Sequence, residues 1–475
     1  MASLQNLSSF ASPGKVPICE KDGKLCEVPI REITGNSYIM EFYPEINVNR
    51  EMFNTPSSRY SDQWKTVMVP VDEHVIKRIT RTFFESGFNE ALNEARSSRT
   101  SSRSLLISSA AEYLHRSLEF LKKLRVMIMP HLKEEGAASI AKYSEIRDWT
   151  KSYTRGLVWH PNCFKIAVAG SDDVIRIYTD EPAIVPILKC ANQKCITSMA
   201  WRPFSAGEIA VGCQSGVCLW TMDNNMHITR PLSQAVLLKH PKHSPVTSID
   251  WSPNGCLLAT SSIGDTNVLI WDVDQSVSTP LKRVGPLCSL IKWSPDGAYL
   301  FSATAGNVFR VWATDNWTPE RWTIPKGHIQ SATWSPCGSC LLFVTSEESI
   351  LYKLQFIDEQ LFATSCLPKQ AIPIADLTKV VIGYREVGGL PQAISWDPNG
   401  HYLAIIFKDS SCVTIFGTAI HKHTLNVAPS CFLTGIGTEY PSHICFQSKN
   451  RKNSDSVLTI GWSSGRIQYF PFVNI

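Results

Sequence analysis

A triplet of the form Trp-x-Pro recurs six times along the chain, at Trp159-His-Pro161, Trp201-Arg-Pro203, Trp251-Ser-Pro253, Trp293-Ser-Pro295, Trp334-Ser-Pro336 and Trp396-Asp-Pro398. The steps between them are 42, 50, 42, 41 and 62 residues, a range in which each repeat is one supersecondary unit stacked on the next. The same pattern follows every triplet. A turn leads to an apolar run such as Ile166-Ala-Val168, Leu258-Ala-Thr260 or Leu403-Ala-Ile405. A second turn leads to a β-branched run closed by an aromatic or large apolar residue, such as Val268 to Trp271 or Val413 to Phe416. A seventh, degenerate copy carries Phe446-Gln-Ser448 in place of the triplet. Seven units of this kind predict an all-β chain over 150–475, a seven-bladed β-propeller of four-stranded sheets.

A single blade cannot cover its own faces, so blades stack radially and hide their edges. Trp159, Trp201, Trp251, Trp293, Trp334, Trp396 and Phe446 are therefore expected on the sheet faces between blades, as packing and not as a ligand cage. The proline after each tryptophan lacks a backbone donor and ends the strand.

The composition sets outer limits on function. With 44% hydrophobic and 19% charged residues, the chain reads as an ordinary soluble globular protein. A net charge of +4, spread evenly, does not argue for nucleic acid. Apolar runs fall short of the ~20 residues of a membrane span, and no basic-then-apolar leader opens the chain. The 15 cysteines are odd in number and many sit in expected strands, which fits buried thiols in a reducing compartment.

Residues 1–149 differ in character. An N-terminal extension over 1–71 holds a strand segment at 15–29, two short strands around the turn dipeptide Asp22-Gly23. In propellers the last blade commonly borrows a strand from upstream, so part of 15–29 is expected to pair with the seventh blade. A helical segment is expected over 72–149, where Val75, Ile76, Ile79, Phe83 and Phe84 recur at helical steps. A polar Arg/Ser linker at 96–104 interrupts it, and a last helix is expected over 136–149. The long 334-to-396 step places an exposed, mobile insertion at 355–370, with Ile372 to Leu377 as the outer strand of blade six.

Candidates for chemistry each meet a structural alternative. Gly461-Trp-Ser463-Ser-Gly465 has the nucleophile-elbow form, but that chemistry needs a strand-to-helix turn and a histidine after the serine. The last histidine is His443. Cys337-Gly-Ser-Cys340 lacks a second pair at zinc spacing and stands where other repeats carry a Pro-Asn-Gly or Pro-Asp-Gly turn. His240, His243 and His328 precede inner strands and read as hydrogen-bonded structural histidines. Lys122-Lys-Leu-Arg125 reads as the solvated side of a packed helix. No catalytic, metal-binding or cofactor-binding residue is assigned, and no cofactor is expected.

The repeats are of WD type, with Trp271-Asp272 the intact Trp-Asp pair and Asp265 at the matching turn. Several stretches that a generic propeller does not dictate resemble the Aladin family: Phe309-Arg-Val-Trp312 with Trp317-Thr-Pro-Glu-Arg-Trp322, Thr229-Arg-Pro231, His243 to Trp251, Gly461 to Ile467, and Gly87-Phe-Asn-Glu-Ala-Leu-Asn-Glu94. The likeness runs from about residue 15 to the C-terminus. It implies a non-catalytic scaffold nucleoporin of the nuclear pore complex, at the nuclear envelope with a cytoplasmic pool, supporting nuclear protein import. The implied partners are other nucleoporins, including a transmembrane nucleoporin as anchor, and spindle-associated proteins at the spindle pole in mitosis. Nucleic acid is not among them. The chain has one Phe-Gly dipeptide, Phe416-Gly417, so it is expected to build or recruit rather than form the permeability barrier. The alternatives are a substrate receptor of a ubiquitin ligase and a propeller-containing enzyme. Adaptor contact by such receptors uses Trp-Asp-x-Arg, whereas Trp271-Asp-Val-Asp274 ends in an acid.

Overall fold

Each repeat becomes an antiparallel sheet whose inner strand stops at the repeat aromatic. The seven inner strands are Thr154–Trp159, Ser198–Trp201, Val246–Trp251, Cys288–Trp293, Ile329–Trp334, Pro391–Trp396 and Pro441–Phe446. The computed structural model describes residues 1–7, 12, 14–29, 43–48, 137–180, 185–222, 235–356, 371–383, 385–421, 424–448 and 456–473. Between 77 and 120 it describes 77, 79, 80, 92, 95, 109–117 and 120. Seven sheets follow one another in chain order, each built outward from its inner strand. The chain is thus a seven-bladed β-propeller.

The aromatics sit between blades. Trp201 packs with Ala167, Ile175 and Ile177 of the preceding blade, and Trp251 with Ala210 and Val217 of the next pair. Trp293, Trp334, Trp396 and Phe446 repeat the arrangement, and Trp159 closes the ring against Ile467. The indole N–H often reaches back one blade: Trp201 donates to the Val158 carbonyl, Trp251 to Ala200 and Trp334 to Lys292, each at 3.2 Å. Trp159 and Trp396 donate instead to Thr459 and Thr418 hydroxyls at 2.8 and 3.1 Å. A buried tryptophan N–H usually finds such a partner; that of Trp293 is buried without one.

The seventh blade takes its outer strands from the N-terminal segment. Lys15–Lys21 runs parallel to Ile467–Val473, with Glu20 opposite Phe472 and Lys21 opposite Val473. Lys24–Pro29 pairs back on it through a turn at Asp22-Gly23. Both turn residues have positive φ, 49° and 78°, the geometry that matches strand twist in a two-residue hairpin. Residues 43–48 then lie across the seam between blades seven and one, where Val48 N donates to Gly465 O and Ile467 N to Ile46 O.

Two expectations are corrected. Ile372–Asp376 pairs with Ile350–Gln355 and is the outer strand of blade five, not six. Blade six has its own outer strand, Thr424–Thr434, so the long step falls between the third and fourth strands of blade five. Residues 357–370 of the expected insertion lie outside the described residues, while Phe356 is buried against Trp334. The helix expected over 136–149 is only Ala137–Tyr143. Residues 144–151 form bends and turns, because the side chains there are held by the propeller and not by a helix face.

Residues 56–136 form a second compact unit. Its described positions are helical, and Leu92, Ala95, Ala111 and Ile79 pack together in it. The linker 96–104 and the Lys122–Arg125 stretch lie outside the described residues.

Candidate functional site: a channel closed by the chain itself

Six of the seven inner strands carry a register shift at the same place, between the first and third residues of the strand. A bulge leaves one residue out of the ladder and re-aims its side chain. The extra residues are Arg155, Thr247, Ser289, Gln330, Gln392 and Ser442, each four positions before a repeat aromatic. All are polar or charged, and each stands second in its inner strand.

Residues 137–151 plug the ring at these strand starts. Gln330 and Gln392 both donate side-chain amide hydrogens to the Ser144 carbonyl, at 2.9 and 2.7 Å. The Arg147 amide donates to the Ser442 carbonyl at 2.9 Å. Arg155 stacks over the Trp149 ring at 4.4 Å and pairs with Asp173 at 2.6 Å. Four of the six bulged residues therefore hold the same short segment. Trp149 is almost fully buried and donates its indole N–H to the Ile196 carbonyl at 3.1 Å. Ile140, Ile146, Trp149 and Ile263 make a separate apolar cluster beneath it. The Arg147 guanidinium donates to the Phe407 carbonyl at 3.0 Å and to that of Ser410, and lies 4.4 Å over Tyr440. Contacts thus reach every blade, from Arg155 in the first to Ser442 in the seventh.

Below the plug lies a cavity of about 400 Å³, lined by the inner strands and by Tyr143 to Ile146. Glu145 projects into it. Its carboxylate accepts from the Ser331 hydroxyl at 2.6 Å and pairs with Lys292 at 3.1 Å. Burial alone would pull Lys292 down, but Glu145 and Asp250 together hold it above its ordinary value. Burial pushes Asp250 up to about 6, against Lys292 and the Trp293 amide, which donates to it at 2.7 Å. Lys292 thus lies within reach of two carboxylates, Glu145 and Asp250. The arrangement holds a peptide segment by backbone and side-chain hydrogen bonds, and the Ser331 hydroxyl is taken up by Glu145 within it.

Asp265 and Trp271 come together in blade three. His243 contacts Asp265 Oδ2 at 3.2 Å and Thr260 Oγ1 at 2.9 Å, and Trp271 donates to the same hydroxyl at 3.0 Å. This chain of bonds ties a turn to the buried third strand. His328 packs edge-on to Tyr143 of the plug segment at 5.0 Å, while His240 is half-buried and contacts the Pro241 carbonyl.

The remaining motifs take structural places. Ser463 lies in a strand-to-strand turn, where its hydroxyl accepts from the Tyr440 amide. Gly465 has φ +90°, and a Cβ there would meet the Val48 carbonyl oxygen at 1.9 Å, so both glycine and turn serve the close approach of 43–48. Cys337 occupies the position that Asn254 and Asp296 hold in neighbouring blades, accepting or sharing a proton with the Ser of the same turn. Among the described residues no three His, Cys, Asp or Glu side chains converge as metal ligands. No described helix is long and apolar enough to cross a membrane. Asp274, where an adaptor-binding repeat would have Arg, makes a two-pronged pair with Arg202 at 3.0 and 2.9 Å.

The plug was not foreseen from the sequence. Its signal was present as a polar residue four before each repeat aromatic, and as Glu145-Ile-Arg-Asp-Trp149, a charged and aromatic run with no helical periodicity.

Comparison with known proteins places this geometry. The Aladin seven-bladed propeller family matches residues 135–473, a span that includes the plug. Aladin of Arabidopsis thaliana is 28% identical over 350 residues, covering 67% of this chain and 76% of that protein. The WD repeat-containing protein slp1 of Schizosaccharomyces pombe is 28% identical over 163 residues, covering 33% of this chain and 32% of its own length. Among solved structures, the Cps50 (Swd1) β-propeller domain of Myceliophteria thermophila superimposes with a TM-score of 0.51 at 17% identity. It covers 67% of this chain and 96% of that domain, a likeness of fold alone. With the match extending over more than two thirds of its length, the chain belongs to the Aladin family of seven-bladed propellers.

Proposed function

We propose that the protein is a non-catalytic scaffold nucleoporin that supports nuclear protein import from the nuclear pore complex, by protein–protein binding through its propeller. The observation that carries this reading is the family match over 135–473, which takes in both the ring and the segment that plugs it. The plug bears on how partners bind. WD-type rings expose a channel mouth to ligands, but here that end holds the chain's own residues 137–151, so partners meet the rim and faces of the blades. A transmembrane nucleoporin is the proposed anchor, and spindle-associated proteins the proposed mitotic partners.

The reading is tested by expressing the full chain with a small fluorescent tag and imaging interphase nuclei. A continuous rim that coincides with pore staining, and is lost when the anchoring membrane protein is depleted, is expected. A diffuse signal in cells with normal pores would contradict it.

A further inference from the structure

Most arginines described in the ring have an acid beside them: Arg155 with Asp173, Arg176 with Asp172, Arg202 with Glu208 and Asp274, Arg466 with Glu439. Three do not. Arg283 follows the outer strand of blade three, Val277–Leu281. Arg310 and Arg321 stand directly opposite each other on adjacent strands of blade four. In those strands Phe309 and Trp322 face blade five, while Val308 and Trp312 pack on blade three. Alternation of side chains along a strand puts Arg310 and Arg321 on the latter face, toward Arg283.

Arg310 thus has Arg321 beside it across the strand pair and reaches the residue next to Arg283, between blades three and four. Arg310 is 7% exposed. Its Nη2 donates to the Val284 carbonyl at 2.9 Å, but its Nη1 has no partner. Nε, Nη1 and Nη2 of Arg283 are all covered and reach no oxygen partner, with only the buried Cys288 thiol beside them. Burial, with Arg283 and Arg321 adding to it, draws Arg310 below its ordinary value. The nearest acid in the turn, Asp265, is committed to His243 and Asn267. Burying an unpaired cation is costly, and two adjacent like charges are more so, unless an anion compensates them. Guanidinium forks match tetrahedral oxyanions in geometry as well as charge.

We propose that Arg283, Arg310 and Arg321 form a binding site for a phosphate-type oxyanion. Arg310 is its floor, Arg283 its wall below the exposed turn at Val284, and the exposed Arg321 its mouth. The anion's oxygens would take the four N–H-bearing nitrogens of Arg283 and Arg310 that reach no oxygen partner. The phosphate is either free in solution or carried by a phosphorylated partner.

The test uses the full chain in phosphate-free buffer, titrated by calorimetry with inorganic phosphate and, separately, with a short phosphoserine peptide. Saturable binding is expected, with a rise in melting temperature. In the double variant Arg283→Gln/Arg310→Gln binding should weaken at least about tenfold and the thermal shift disappear. If that variant loses its near-UV circular dichroism, Arg321→Gln at the exposed mouth should still weaken binding several-fold. Tighter binding of the peptide assigns the site to a phosphorylated partner, and equal binding to free phosphate. Absence of saturable binding to either probe, or equal binding by wild type and a folded variant, overturns the proposal. Neither outcome depends on localisation at the pore.

Discussion

Trp201 belongs as much to blade one as to blade two. Its ring fills space against Ala167, Ile175 and Ile177, and its N–H reaches the Val158 carbonyl. Trp201→Ala should therefore cost about 3–5 kcal/mol through the cavity it leaves, read as a lowered denaturant midpoint. His328 carries a second prediction. Burial, reinforced by Lys142 and Lys408, pulls it down to about 4 from the ordinary 6.5. The folded protein thus favours neutral His328, whose contribution to stability is full above pH 6.5 and is lost as pH falls toward 4. His160, His243 and His443 are lowered in the same direction, mainly by burial. Asp250 acts oppositely: raised to about 6, it favours the fold below its unfolded value and loses that contribution as pH rises through 6. Melting temperatures between pH 7.5 and 4 should fall less steeply in His328→Gln than in wild type, and more steeply in Asp250→Asn. The repeat tryptophans were legible because the same residue recurs at the same place. Glu145 and Asp250 were not, since each acts once and its partner lies dozens of residues or more away.

At the scale of elements, the strand segment at 15–29 and the plug contrast in how they announce themselves. The hairpin has its own turn chemistry at Asp22-Gly23 and alternating burial in Lys15–Lys21, both local signals. Its pairing with Ile467–Val473 leaves only Lys24–Pro29 as the blade's edge. Deleting residues 15–29 should bare that third strand and favour edge-to-edge association, seen as oligomers in light scattering where wild type gives none. The plug has no such grammar. Its helix stops at Tyr143, and the following residues are shaped by Gln330, Gln392 and Ser442, which only the closed ring brings near. The helix expected over 136–149 therefore ends at Tyr143. Arg147→Ala removes charged hydrogen bonds to two carbonyls of blade six and should cost about 1–3 kcal/mol, with near-UV signals from Trp149 altered.

Across the whole molecule, the ring is held in two ways. Neighbouring blades share apolar clusters around the repeat aromatics, an arrangement in which each repeat knows only its neighbours. The plug adds contacts that join distant blades at one end, such as Ile196 in the second with Phe407 in the sixth. This segment should therefore couple the blades. Hydrogen exchange followed by mass spectrometry, comparing wild type with Arg147→Ala/Trp149→Ala, tests the claim most directly. Exchange should rise together in the loops and inner-strand starts of blades two, five, six and seven, far apart in sequence. An increase confined to residues 137–151, with those blades as protected as before, would contradict it.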